Sequence, residues 1–436
     1  MKQLLLGQTL SFSGNPWHMP IKEAVQHIRH GAVLTEAGKV IAVGEADSLK
    51  AAHPQAKITC HGDSLLMAGF IDSHAHFSQT AIIASWGKRL IDWLNTYTFP
   101  EEARFGDPAH AAAVAETYLD LNLSNGITTA CAYCTTHPAS VDAYFKASQK
   151  RGLRMLGGKV MMDRNAPENL RDTAQSGYDE SKALLQKWHG TDRLSYAITP
   201  RFAPTSSPSQ LEATGALWAE HPDCLLQTHL SEQHEELAWV KELFPEHDDY
   251  LAVYQHFGLL GPGAVMGHAI YLSSREWDAL RDAGASIAHC PTSNAFIGSG
   301  LFHATRAQAL GIRTGLATDV GGGSSFSMLR TMASAYEIGQ LRNDAIHPAQ
   351  LLYMATLGSA EALHLADRIG NLQAGHEADI VVLNLASTPV ITQRAKRAKN
   401  LWEQLFPTIM LGDDRAIEVV YIAGNRHNTC ATQHHI

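Results

Sequence analysis

His74 and His76 stand two residues apart at the end of the apolar run Ala68-Gly69-Phe70-Ile71-Asp72, and His229, His268 and Asp319 each close a later short apolar run. If these runs are strands, alternation puts His74 and His76 on one face, so both imidazoles reach a single ion. Imidazole nitrogen together with carboxylate oxygen suits zinc, and a hydrolytic site keeps one coordination position for water. The expected ligands are therefore His74, His76, His229 and Asp319, around one Zn2+ per chain. His268 is assigned to the zinc-bound water or the substrate, because the other four already complete a catalytic ligand set. A lone His-x-His pair is common on strands without any metal, so the inference rests on the whole set.

Zinc lowers the pKa of a bound water from about 15.7 to about 7, which makes hydroxide available at neutral pH. Glu232 lies three residues beyond His229 in Gln227-Thr228-His229-Leu230-Ser231-Glu232, close enough to sit beside the ion without ligating it. Its carboxylate can carry the water proton to a ring nitrogen and then to a departing amine. An acid here also suits the first turn of a following helix, and the two roles are compatible. Asp319 is a further acceptor for the water proton. A two-metal site would need a carboxylated lysine ending the fourth strand, but that strand ends in Thr199-Pro200-Arg201-Phe202. Lys159 lies on the third strand, with a structural or a substrate role open to it. Gly321-Gly322-Gly323 belongs to no phosphate-loop pattern and reads as a tight turn.

Groups so far apart in sequence converge only if the elements carrying them close on one another. Short apolar runs alternate with helix-like stretches along the middle of the chain, the signature of a parallel sheet. Eight strands are predicted: Leu65 to Asp72, Thr128 to Tyr133, Arg154 to Met162, Ser195 to Thr199, Leu225 to His229, Ala264 to His268, Ser286 to His289 and Arg313 to Thr318. Helices are predicted over Pro108 to Asn125, Ser181 to His189, Ser209 to His221 and Ser274 to Ala283. This is an α/β chain with a (β/α)8 barrel of TIM type, whose active site collects at the C-terminal ends of the strands. Runs at Leu4 to Phe12, Gly31 to Glu36, Lys39 to Val43, Ala378 to Leu385 and Ala416 to Ile422 predict a small β-sandwich built from both chain ends. The expected division is 1–66 and 369–436 for the sandwich and 67–368 for the barrel.

Composition narrows the field further. The chain of 436 residues is 45% hydrophobic and 18% charged, enough apolar material for a large core. Its 34 Lys and Arg are scattered and its formal charge is -9, which argues against a nucleic-acid groove. No apolar stretch is long enough to span a bilayer, and a soluble, cytoplasmic protein is expected. The six cysteines, Cys60, Cys131, Cys134, Cys224, Cys290 and Cys430, read as reduced thiols. Cys131 and Cys134 form a C-x-x-C with no second pair, so buried thiols on a strand are expected rather than a zinc ribbon.

The segments Gly69 to His76, Thr228-His229-Leu230-Ser231-Glu232, Gly267-His268 and Gly375 through Ala378-Asp379 to Val382 resemble the amidohydrolase superfamily over nearly the whole chain. Asp92 to Glu102, His289-Cys290-Pro291-Thr292-Ser293-Asn294 with Gly298-Ser299-Gly300, and Thr318 to Met328 are similar to guanine deaminases within it. The first of these three resembles a lid-like loop. The resemblance implies zinc-dependent conversion of guanine to xanthine and ammonia in purine catabolism, with Gln79, Arg201 and Phe202 holding the purine beside Glu232 and His268. Arginine offers a fork of donors to a carbonyl, glutamine both donates and accepts, and phenylalanine can stack on a base. A homodimer is the expected assembly. Departures at Ala75 and Ala295-Phe296-Ile297 touch no catalytic group.

Two rival readings stand beside this one. A related enzyme would act on another ring, such as 8-oxoguanine, a pterin or an s-triazine. A catalytically silent barrel would bind purine without turnover, against which stands Glu232 beside a complete ligand set. The other zinc deaminase class needs H-x-E with P-C-x-x-C; His234-Glu235-Glu236 fits the first half, but the second is missing.

Overall fold

The computed structural model describes residues 2–87 and 89–427, so Cys430 lies outside the described residues. Strands β1 (Gln3–Phe12), β2 (Val25–Glu36), β3 (Lys39–Glu45) and β4 (Lys57–Ala68) open the chain. Next come β5 (Phe70–His76), β6 (Ile127–Tyr133), β7 (Arg154–Gly158), β8 (Val160–Met161) and β9 (Ser195–Pro200). They are followed by β10 (Leu225–Leu230), β11 (Ala264–His268), β12 (Ser286–His289) and β13 (Thr314–Leu316). Finally come β14 (Ile380–Leu383), β15 (Ile417–Ile422) and β16 (Asn425–His427).

Strands from both chain ends share one seven-stranded sheet in the order β16-β15-β14-β4-β1-β2-β3. Its core joins Leu5, Val33 and Leu66 to Ile380, Val382, Val419 and Tyr421, which ties the two ends of the chain together by apolar burial. The second sheet runs β13-β12-β11-β10-β9-β7-β6-β5, with β8 continuing β7 past Lys159 and pairing with β9. Its pairs β7/β9, β9/β10, β10/β11, β11/β12 and β12/β13 are all parallel. Ser73 Oγ donates to Leu316 O at 2.8 Å and Asp319 N to His74 O at 2.9 Å, so the first strand meets the segment around the last. This is the (β/α)8 barrel, and β6, β10 and β11 are buried along their whole length, as continuous apolar runs require.

The chain divides into two compact units, one of 1–71, 120–129 and 327–436, the other of 72–119 and 130–326. Every residue assigned to the chemistry falls in the second. Among the described residues, no helix is long and apolar enough to cross a membrane.

Three elements differ from their sequence-based expectations. The run Leu65 to Asp72 is not one strand: Leu65 to Ala68 end β4, and the barrel strand begins at Phe70. A Cβ on the intervening Gly69 would lie 2.3 Å from Thr128 Cγ2, so the chain crosses between the sheets where only glycine fits. The helix predicted from Ser181 starts at Ala174, because Thr173 and Ser176 form a reciprocal capping box ahead of the apolar periodicity. Asp92 to Glu102 is helical throughout rather than a loop, from Leu90–Trp93 through Leu94–Thr98 to Phe99–Glu102.

Gly158 offers a direct test of barrel packing. A Cβ there would sit 1.8 Å from the carbonyl oxygen of Ala197, a backbone atom that cannot rotate away. Gly158→Ala is therefore expected to cost about 3 kcal/mol. The cost should appear as a lower urea midpoint at an unchanged slope. A midpoint equal to that of the parent would contradict the packing described.

Candidate metal centre and pocket

The four predicted ligands and His268, expected at the water or the substrate, lie at the C-terminal ends of barrel strands: His74 and His76 on β5, His229 on β10, His268 on β11, and Asp319 three residues past β13. His268, Asp319 and Ser231 take positive φ of 66°, 49° and 51°. Left-handed backbone at such residues costs on the order of 1–3 kcal/mol each and persists only where the surroundings enforce it. Asp72 supplies part of that enforcement. Its carboxylate accepts from Thr318 N at 2.9 Å, from Thr318 Oγ1 and from His74 N at 3.3 Å, which locks β5 to the segment carrying Asp319.

The functional atoms converge. Asp319 Oδ1 lies 3.3 Å from His74 Nε2 and 3.4 Å from His76 Nε2, while His76 Nε2 lies 3.2 Å from His229 Nε2. His229 Nδ1 is 2.7 Å from Arg201 O, a contact that places its proton on Nδ1 and leaves the Nε2 lone pair facing the cluster. His74 Nε2 is buried without an aligned hydrogen bond. Donor atoms of His74, His76 and His229 all lie within 4.8 Å of one another.

Burial drives the imidazoles of His74, His76 and His229 below their ordinary pKa of 6.5, so they are neutral and able to donate lone pairs. Burial pushes the Asp319 carboxyl up, but His74, His268 and His76 outweigh it and hold that carboxyl well below the usual range. Three neutral imidazoles and one carboxylate, dry and aimed at one point, fit a divalent metal ion.

His268 stands at the edge of this set. Its Nε2 is 3.4 Å from Glu232 Oε2 and 3.8 Å from Asp319 Oδ2, and its Nδ1 is 2.8 Å from Asn294 Oδ1. Burial alone would lower its pKa, yet the charges of Glu232 and Asp319 and the Asn294 contact raise it overall. Glu232 is buried, which raises its pKa, and Ser299 Oγ donates to its Oε1 at 2.7 Å. Cys290 belongs to a second group with His74, His268 and Asp319. Burial raises its thiol pKa far above normal and Sγ points at Ala288 O, so it is a protonated bystander.

A pocket opens beside the cluster, lined on its polar side by Gln79, Arg201, Glu232 and His268 and elsewhere by Leu90, Trp93, Leu94, Phe202 and Ile297. The structure brings His74, His76, Gln79, Arg201, Phe202, His229, Glu232, His268 and Asp319 together around this pocket. Lys159, for which a structural and a substrate role stood open, is fully buried against Asp172 and Glu180, outside the pocket lining, which favours the structural one. Cys131 and Cys134 are free buried thiols, as expected.

Sequence reasoning missed Asn294, Ser299, Trp93 and Glu102. All four lie in segments that carry the family resemblance, which assigns them no role. Glu102 is not singled out in the sequence, because its segment Asp92 to Glu102 reads only as a lid-like loop and nothing in that reading gives the acid a partner. Its signal emerges only once Arg201 and Gln79 are both seen to need a partner.

Residues 65–426 match the amidohydrolase family, and 31–56 match an imidazolonepropionase-like composite domain of bacteria. The chain belongs to the amidohydrolase family. It is 43% identical to the guanine deaminase of Escherichia coli K12 over 405 residues, 93% of this chain and 92% of that one. The structure of E. coli guanine deaminase superposes with a TM-score of 0.96 at 41% identity, covering 98% of this chain and all (100%) of that one. A guanine deaminase from C. acetobutylicum, solved with guanine bound in its active site, superposes with a TM-score of 0.89 at 27% identity, covering 98% and 100%.

Proposed function

We propose that this protein is a guanine deaminase, a cytoplasmic, homodimeric zinc enzyme of purine breakdown that hydrolyses guanine to xanthine and ammonia. The observation that carries the reading is the adjacency of the dry three-histidine, one-aspartate cluster to a pocket with Gln79, Arg201, Phe202 and Glu232 on its walls. His74, His76, His229 and Asp319 would hold the zinc. Bound there, zinc supplies an activated water at neutral pH.

The rest of the chemistry belongs to the chain. Arg201 and Gln79 hold the carbonyl edge of the base, while Phe202 and Trp93 flank the ring. Glu232, fixed by Ser299, takes the proton of the water that attacks C2 and delivers it to the ring nitrogen. As the C2–N bond breaks, the same carboxylate, having given up the first proton, takes the remaining proton of the added hydroxyl and passes it to the departing amino group, which leaves as ammonia while C2 keeps the oxygen as the carbonyl of xanthine. His268, held by Asn294, presents an N–H to the space between Glu232 and Asp319 and steadies the incoming oxygen. Leu90, Leu94 and Ile297 keep bulk water from that space.

The test is turnover by purified, zinc-loaded protein, followed by loss of guanine absorbance and by ammonia release. Guanine is expected to exceed 8-oxoguanine, a pterin and an s-triazine in kcat/KM by at least about 100-fold, since a site built around one set of polar groups rejects rings that leave them unpaired. Faster turnover of another ring, or none of any, would sink the reading.

A further inference from the structure

Glu102 is completely buried, and its two oxygens serve different partners. Oε1 accepts from Gln79 Nε2 at 2.8 Å, and Oε2 accepts from Arg201 Nη1 at 2.8 Å. Both partners line the pocket; Glu102 itself stands behind them.

The consequence for Gln79 is orientation. A side-chain amide can face either way, but a carboxylate accepts hydrogen bonds and offers none, so Nε2 must turn toward Glu102. Its Oε1 then points the other way, 3.4 Å from Gly321 N. For Arg201 the consequence is charge. A guanidinium that is 3% exposed needs a partner, and the adjacent carboxylate makes the pair neutral while leaving the rest of the fork free for a ligand. Phe99, on the same short helix as Glu102, lies 5.7 Å from the guanidinium, so a single turn of chain clamps Arg201 through both its charge and its plane.

We propose that Glu102 is the positioning residue that sets substrate charge specificity. It turns Gln79 and Arg201 into a fixed, net-neutral pair that reads the carbonyl edge of an uncharged base and gives anionic rings no unmatched positive charge to bind. This rests on the guanine reading above. Without the carboxylate, the amide of Gln79 is free to flip and Arg201 becomes a bare cation at the pocket wall. Affinity for a neutral base falls, and affinity for an anion rises.

The test compares wild type with Glu102→Gln, measuring kcat and KM for guanine and inhibition by urate, a purine that is an anion at neutral pH. Glu102→Gln is expected to raise the guanine KM about 30- to 100-fold, the scale of losing a hydrogen bond to a charged group, with kcat changed less than about 5-fold. Urate is expected to bind about 10-fold more tightly, as removal of one nearby charge allows. A merely structural role would weaken both ligands together. Glu102→Asp keeps the charge but reaches only one partner, so it should raise the guanine KM without tightening urate, and it serves if the glutamine variant does not fold. Urate affinity that is unchanged or weakened in Glu102→Gln, or a wild-type guanine KM in both variants, overturns the inference. A wild type active on guanine with those results leaves the guanine reading intact, whereas a wild type inactive on guanine removes both.

Discussion

Stripping the metal with a chelator is expected to cut guanine turnover by at least about 10^4-fold and to leave the fold in place, with activity returning on addition of zinc. The scale follows from the gap between the pKa of free water, about 15.7, and of water on zinc, about 7, of which no side chain in the pocket can make up more than a part. The same experiment has a second readout. Three neutral imidazoles and a carboxylate crowded within hydrogen-bond distance would bind the ion in the folded chain and not in the unfolded one, so zinc at 1,000 times its Kd should stabilise the protein by about 4 kcal/mol. His229→Ala and Asp319→Ala should each abolish most of that stabilisation along with activity, because each removes an inward-facing donor of the cluster. Thermal midpoints with and without zinc, beside measured metal content, provide the check. Zinc bound equally well by Asp319→Ala would show that the ion sits elsewhere.

The expected loss on chelation depends on candidate ligands that the sequence itself brings to one place, and the reason is geometric. A parallel barrel sends every strand's C-terminal end to one rim, so reading which residue ends each apolar run amounts to reading the rim. His74, His76, His229, His268 and Asp319 were visible this way, and Gln79, Arg201 and Phe202 through likeness to a family. The same rule hid what does not end a strand. Glu102 comes from a helical turn, and Asn294 and Ser299 act through His268 and Glu232 rather than at the rim. Boundaries failed where local composition was ambiguous: Leu65 to Ile71 carries no polar break, and only the close approach of Thr128 to Gly69 shows that two sheets share it. The start at Ala174 depended on a Thr-Ser capping pair, which carries no apolar signal at all.

Glu232→Gln is expected to lower kcat for guanine about 10^3-fold while the protein retains a full zinc complement, the usual scale for removing a positioned general acid–base group. Glu232 is separable from the ligands because its contacts are with Ser299 and His268, and glutamine can keep the Ser299 hydrogen bond while losing the ability to take up a proton. The pH profile gives an independent signature. The carboxyl must be ionised to accept the water's proton, and burial raises its pKa above the ordinary 4.5. As pH falls, the basic form is therefore lost earlier than in an exposed glutamate, so the acid limb of kcat/KM should lie above pH 4.5 in the wild type. In Glu232→Gln that limb should vanish from the residual activity. Ser299→Ala removes the donor that favours the ionised form, so it should move the same limb to higher pH and leave zinc content untouched. An acid limb unchanged in both variants would mean that another group takes the proton, and Glu232 would then lose its role even if its replacement slowed the enzyme.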